Sequence, residues 1–288
     1  MTVESPEARG SGDEAGGQHG GLPVFDVTVA NPARMWDYWL GGKDNFAVDR
    51  EAGQWVQEAL PWLPDAIRGC RIFLRSSVHT LAAEYGIRQF LDIGPGLPTV
   101  GNTHEVAQQV APSSRIVYVD SDPVVAAHAR ALLTGRSEGA TEFVRADLRN
   151  PELILSEAAV TLDFSQPVAV VLTNIVHFIQ DDDDPYGIVS QLMDAVPPGS
   201  FLVMVHGASD LRVEVTEGTR RYNEVSSEPL AFRTREQVTR FFDGLELVPA
   251  QPGGEPAITF PGLWGAEDLE AADSDGSRAF YCGVARRP

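Results

Sequence analysis

Asp92, Asp120 and Asp147 each close a short apolar run, in FLD, IVYVD and FVRAD. The first run continues into Gly94-Pro95-Gly96, so an acid stands two residues before a glycine turn, giving D-x-G-x-G. Such a turn lets backbone approach a ligand closely. A dinucleotide site needs a third glycine three residues on, for helix–strand packing. Here position 99 is Thr, and Pro95 and Pro98 stiffen the turn. The carboxylate would also repel a pyrophosphate and attract an amino group. The ligand of this turn is therefore expected to be zwitterionic or cationic. An acid leaving a second strand, at Asp120-Ser121, can accept both hydroxyls of a ribose. An acid leaving a third, at Asp147-Leu148, can accept from an exocyclic amine such as that of adenine. Together the three describe a nucleoside bearing an amino acid. Plain turn formation at the glycines, helix capping by Asp122 before Pro123, and turn capping by Asp147 are the competing roles.

Other residues invite chemistry less specifically. Asn174 and His177 follow a fourth apolar run, VAVVLTNIVH. Ligands of open α/β sheets sit at the carboxyl ends of strands. A neutral histidine there can take a proton from an attacking hydroxyl or amine; packing or capping explains it equally well. His206 ends a fifth run with less support, and His104 reads as part of a helix start. Asp181–Asp184 reads as a solvated acidic loop before a helix, where negative charge is favourable. With no second ligand cluster, no metal is expected. Neither a Ser-His-Asp nor a Cys-His set is present.

The elements that would position these residues are legible from periodicity. From residue 89, fully apolar runs alternate with helical periods, which means a mostly parallel sheet covered on both faces. Asp122-Pro123 and Asp184-Pro185 read as N-cap and first helical residue. Asn102 with Glu105, and Thr234 with Gln237, read as capping boxes. The final runs, GLELVPA and RAFYCGVARR, are expected to pair antiparallel at the edge. Before the sheet, Met35, Trp36, Trp39 and Leu40 mark a short helix ended by Gly41-Gly42. Ala52, Trp55 and Val56 mark a second helix up to Pro61, and Ile67, Cys70, Leu74 and Val78 a third. The glycine-rich stretch 1–22 cannot repay the entropy of ordering and reads as a disordered tail.

Composition bounds the partners. The chain has 288 residues, 41 acidic against 22 basic, and a formal charge of −19. A polyanion binder usually shows a basic face, so neither DNA nor RNA is expected. No apolar stretch approaches the roughly 20 residues of a membrane span, and no signal peptide is evident. Cys70 and Cys282, far apart, make neither a metal spacing nor a disulfide framework. A reducing cytoplasm is the expected compartment. Lys43 is the single lysine.

DIGPG, YVDSDP and RADL look like the first three motifs of class I S-adenosylmethionine-dependent methyltransferases. The segment NPARMWDYWLGGKDN (31–45), with FLDIGPGLPT and NTHEVAQ, resembles the actinobacterial S-adenosyl methyltransferase family over roughly residues 24–288. The resemblance implies a three-layer Rossmann-like sheet of about seven strands over 87–288, mostly parallel with an antiparallel edge strand. It also implies an N-terminal helical cap over 23–86. The implied cofactor is S-adenosyl-L-methionine, leaving as S-adenosyl-L-homocysteine, with Asp92, Gly94, Pro95, Gly96, Asp120, Ser121, Asp147, Leu148 and Asn174 around it. Asn31, Arg34, Asp37, Tyr38, Lys43, Asp44 and Asn45 are more polar than a core helix needs, so the segment is expected to be a lid. In that reading Arg34 pairs with the cofactor carboxylate, Tyr38 faces the sulfonium, and His177 is the base. The implied activity is in-line methyl transfer to a small-molecule acceptor. A non-catalytic sensor of the same cofactor or its product, and a dehydrogenase, are the rival readings.

Overall fold

The computed structural model describes residues 28–132, 135–264 and 277–288. The stretch read as a disordered tail lies outside the described residues. Three helices come first: α1 (Pro32–Trp39), α2 (Ala47–Ala59) and α3 (Leu63–Ala83). Five β/α units follow: β1 (Gln89–Ile93), α4 (Thr103–Val110), β2 (Arg115–Asp120), α5 (Pro123–Leu132), β3 (Ala140–Arg145), α6 (Pro151–Ala158), β4 (Ala169–Thr173), α7 (Pro185–Asp194) and β5 (Phe201–Gly207), ending in α8 (Val213–Val225). The chain closes with α9 (Arg235–Thr239), β6 (Glu246–Leu247) and β7 (Phe280–Arg286). The strands form one seven-stranded sheet of order β3-β2-β1-β4-β5-β7-β6. β1 to β5 are parallel. β7 runs antiparallel between β5 and β6, from Phe201 opposite Arg286 to Gly207 opposite Phe280. The two last strands therefore pair antiparallel as their patterns require, with the two-residue β6 at the edge.

Alternation along the strands divides the core. Phe90, Ile116, Val171 and Val203 face one layer, which holds α1 to α4 and α8. Leu91, Val117, Val170 and Leu202 face the other, with α6, α7 and α9. Burial on both faces is why the strands read as unbroken apolar runs. The same period puts Asp92 on the α3 side with Phe90, a carboxylate inside an apolar layer. The first three helices share one continuous core with that face of the sheet, rather than forming a separate cluster.

The predicted caps are present. Asp122 Oδ1 accepts from the amide of Val124 at 2.6 Å, and Asp184 Oδ1 from that of Gly187 at 3.0 Å. Glu105 reaches back to the amide of Asn102 (2.9 Å), and Gln237 to that of Thr234 (2.9 Å). The acidic loop is more than solvated charge: Asp181 holds Arg233 (2.6 Å) and Asp183 holds Arg149 (3.1 Å).

One buried carboxylate fixes the start of the chain. Asp49 is fully buried. It accepts from Asn31 N (3.0 Å), Phe46 N (2.8 Å) and Arg34 Nε (2.8 Å). Asn31 Oδ1 caps α1 through the amide of Ala33 (2.9 Å), and its Nδ2 donates to Asp122 Oδ2 at 2.6 Å. One residue thus ties α1 to α2 and to the loop after β2. Removing one partner of a buried pair leaves the other uncompensated. Asp49→Ala is expected to lower the unfolding free energy by about 3–5 kcal/mol, measured by urea denaturation.

Candidate functional site

β1 lies between β2 and β4, where strand order reverses and the connections leave on opposite faces. That switch point opens a crevice at the carboxyl ends of the strands. A cavity of about 360 Å³ occupies it, roofed by α1. Its floor is the glycine turn. Gly94 (φ +72°) and Gly96 (φ +67°) both take left-handed backbone. A Cβ on Gly94 would fall 2.5 Å from Ile175, so glycine is needed for the loops after β1 and β4 to meet. A Cβ on Gly96 would meet nothing within 4 Å: the space above it is the cavity.

Asp120 stands at the cavity wall. Its Oδ1 accepts from the amide of Asp122 (3.0 Å) and its Oδ2 from that of Gly96 (3.3 Å). An ionised carboxylate has about four acceptor sites, so capacity remains for two hydroxyls. Burial pushes its pKa up to about 6, although hydrogen bonds from backbone amides oppose the shift. Asp147 and Leu148 line the far end with Arg149. Arg149 spans this end, donating to Asp147 (3.1 Å), Asp183 (3.1 Å) and the carbonyl of Phe178 (3.2 Å).

The near end concentrates unpaired polarity. Buried side-chain polar atoms normally find a partner, and exceptions call for an explanation. Among the described residues seven such atoms have none: Nε and Nη2 of Arg71, Oδ1 of Asp92, Oγ1 of Thr99, Oδ1 of Asn174, Oη of Tyr222 and Nε of Arg233. Arg71, Thr99 and Asn174 line the cavity, and Asp92 lies directly behind them within electrostatic reach of Arg71. Asn174 also holds left-handed backbone, with φ +60°, at the end of β4. The Asp92 carboxyl is pushed up to about 6 by burial, despite the Thr103 hydroxyl at 2.6 Å and the Arg71 charge. Arg71 is shifted down, again chiefly by burial. Each group thus loses more by desolvation than it gains from the other. A guanidinium, a hydroxyl and two acceptor oxygens at one end of a cavity match the charges of an α-amino acid.

The residues read from sequence separate into two sets. Gly94, Pro95, Gly96, Asp120, Ser121, Asp147, Leu148 and Asn174 come together around the cavity, with Asp92 behind it. Arg34 and Tyr38 are placed elsewhere. Arg34 is buried, its Nε on Asp49 and its Nη2 on the carbonyl of Val29 (2.7 Å). Tyr38 packs its ring against Gly53 of α2, where a Cβ would come within 2.7 Å of it. Helical spacing turns both off the face that carries Asn31, Ala33, Trp36, Asp37 and Leu40 to the cavity. Lys43 is exposed on the turn after α1 and does not line the cavity. Asp37 receives Asp44 N (2.9 Å) and Asn45 Nδ2 (2.7 Å), so the polar segment folds largely on itself.

His177 lies off this cavity, on a short 3₁₀ turn after β4. Its Nδ1 accepts from the amide of Gly207 at 3.3 Å. Burial, with His206 and Arg233 near, holds its pKa well below the usual value. The ring is neutral with its hydrogen on Nε2, so the nitrogen not held by backbone is a donor. That arrangement does not suit a general base. His206 is likewise held, between the carbonyl of Gly207 (2.9 Å) and Arg233 (3.0 Å). Arg71 and Thr99 were not singled out by sequence. Arg71 follows Cys70, a core position of α3, and the pattern gives no sign of an arginine turned toward the sheet.

An open α/β sheet with a nucleoside-sized cavity at its switch point, and a cradle for an amino acid beside it, defines a class of cofactor-binding enzymes. The model of the S-adenosyl methyltransferase family matches residues 19–288, and this chain belongs to that family. A DUF574-family protein of Streptomyces avermitilis is 43% identical with a TM-score of 0.85, over 91% of this chain and 99% of its own. A methyltransferase candidate of Thermobifida fusca is 37% identical with a TM-score of 0.82, over 91% and 96%. Among curated proteins no match is found. The cofactor is S-adenosylmethionine, and the unpaired polar atoms fit it. No helix of the described residues is long and apolar enough to cross a membrane.

The two acids give binding a pH dependence. Both folded-state pKa values are raised to about 6, from an ordinary value of 3.8. Between about pH 4 and 6 the free folded protein therefore holds more protons than the unfolded chain, and these two groups stabilise it more as pH falls. Binding in which these two carboxylates accept hydrogen bonds from the cofactor runs the other way, because it needs them ionised. Calorimetry is expected to show S-adenosylmethionine affinity flat above about pH 7. It should weaken below pH 6 by up to about tenfold per unit per carboxylate. Asp120→Asn should remove part of that slope.

Proposed function

We propose that the protein transfers a methyl group from S-adenosylmethionine to a small-molecule acceptor by in-line displacement. The observation that carries the reading is the cluster of unpaired atoms on Arg71, Thr99, Asn174 and Asp92 at one end of a cavity that also exposes Asp120. When bound, the cofactor supplies an activated methyl group and leaves as S-adenosylhomocysteine.

Each residue has a stated task in this reading. Arg71, with the Thr99 hydroxyl, holds the carboxylate of the amino-acid moiety. Asn174 Oδ1 accepts from its ammonium, and Asp92 balances that charge from behind. Asp120 accepts both ribose hydroxyls. Asp147 and Leu148 flank the base, and Arg149 closes that end. Trp36 and Leu40 of α1 cover the crevice and exclude water. Positioning of this kind is worth several kcal/mol of barrier when reacting atoms sit at attack distance in a dry site. The roof makes α1 a positioning element. Arg34 acts within it through Asp49, not on the cofactor.

The Arg71 assignment is testable by comparing S-adenosylmethionine with its decarboxylated analogue. In the wild type, loss of the carboxylate is expected to weaken binding about tenfold or more, the worth of a charged hydrogen bond. Arg71→Met should bind both compounds equally weakly while remaining folded, which its far-UV circular dichroism and Tm without ligand check. An Arg71→Met protein that still prefers the carboxylate would place that contact on another residue.

A further inference from the structure

Behind Trp36 lies a second, smaller cavity of about 40 Å³, between α1 to α3, α8 and the ends of β4 and β7. Trp36 lines both cavities, so its indole is the partition between them. The stretch after α8 also joins the two. Ser227 and Glu228 line the first, Leu230 and Phe232 the second. The wall is aromatic, built from Trp39, Trp62, Phe232 and Phe280. Thr219 and the indole N–H groups add polarity to it, and two further polar points matter here. One is Nε2 of His177, which carries the hydrogen because Nδ1 accepts from Gly207. The other is Tyr222 Oη, buried and without a hydrogen-bond partner. No side chain lining the chamber bears a formal charge.

From these observations, and resting on the methyltransferase reading above, we propose that this chamber receives the acceptor, a neutral aromatic compound carrying a hydroxyl. Aromatic walls favour a flat ring. A donor at His177 and an unsatisfied hydroxyl at Tyr222 suit an oxygen that can both accept and donate. A carboxylate or ammonium entering such a chamber would lose its hydration without gaining a counter-charge. Burial keeps His177 neutral, so it supplies none.

At about 40 Å³ the chamber is far below the roughly 300 Å³ or more of a ligand pocket, so Trp36 has to turn for a ring to enter. The two indoles of α1 differ in the way this requires. Trp39 Nε1 is pinned to the carbonyl of Gly53 at 3.1 Å. The Trp36 indole is partly buried against the core, makes no hydrogen bond among the described residues, and meets Phe280 in a tilted ring contact, centroids 6.3 Å apart. Its rotation would join the chamber to the cofactor cavity and bring the acceptor oxygen toward the site of transfer, where the oxygen–methyl bond forms as the sulfur–methyl bond breaks, S-adenosylhomocysteine leaves and the hydroxyl proton passes to water.

The test is calorimetry with 2-naphthol and 2-naphthoate on protein saturated with S-adenosylhomocysteine, so that no turnover intervenes. The expected result is binding of 2-naphthol at least ten times tighter than 2-naphthoate. Thr219→Trp, which fills the chamber from α8, should weaken 2-naphthol at least tenfold and leave S-adenosylhomocysteine affinity unchanged. Tyr222→Phe should weaken it severalfold without loss of Tm. Failure of S-adenosylhomocysteine to bind would overturn the underlying reading. Its binding, with 2-naphthol absent, no tighter than 2-naphthoate, or indifferent to Thr219→Trp, would overturn the chamber alone.

Discussion

Asp49 sits in the core with no exposure and is tolerated because three donors converge on it from one short stretch. A buried carboxylate that is fully partnered has one geometry. It fixes Asn31 and Arg34, and hence the direction in which α1 leaves. Asn31 then passes that constraint to Asp122 across the crevice. This chain of bonds joins the burial of Met35 and Trp39 in holding α1 over the glycine turn. The polar residues of the segment serve that placement.

The cavity below it is built on the opposite rule. Where Asp49 is saturated, Asp92 and Arg71 are left short of partners, and each is pushed toward neutrality by burial. A fold that satisfies nearly all its buried groups keeps such a deficit only where something else supplies it. The deficit is local: of the seven unpaired atoms among the described residues, four are on residues lining one cavity, a fifth, on Asp92, lies behind them, and a sixth, on Tyr222, belongs to the chamber behind Trp36. Site and scaffold are thus distinguished by hydrogen-bond completeness more than by residue type.

Much of this was legible in the sequence, because strands and their terminal acids are one-dimensional signals. The apolar runs, the D-x-G-x-G turn and the acids after β2 and β3 mark both the sheet order and the side of the sheet that binds. Capping pairs such as Thr234 with Gln237 are equally local. What sequence missed depends on helix rotation. Arg34 and Trp36 are two residues apart, and whether one or the other faces the crevice turns on a packing angle that no motif encodes. Arg71 faces the sheet from a helix whose apolar period hides it. His177 reads as a base from its place after β4, yet the amide of Gly207 takes its free lone pair, a contact from a strand thirty residues on.

In the proposed function, the unpaired atoms beside the glycine turn are completed by the amino-acid end of the cofactor. A crystal structure of the complex with S-adenosylhomocysteine decides this. The carboxylate is expected on Arg71 and Thr99, the ammonium within hydrogen-bonding distance of Asn174 Oδ1, and the ribose hydroxyls on Asp120. A complex in which Arg71 remains unpaired, with the amino-acid end bound elsewhere, would contradict it.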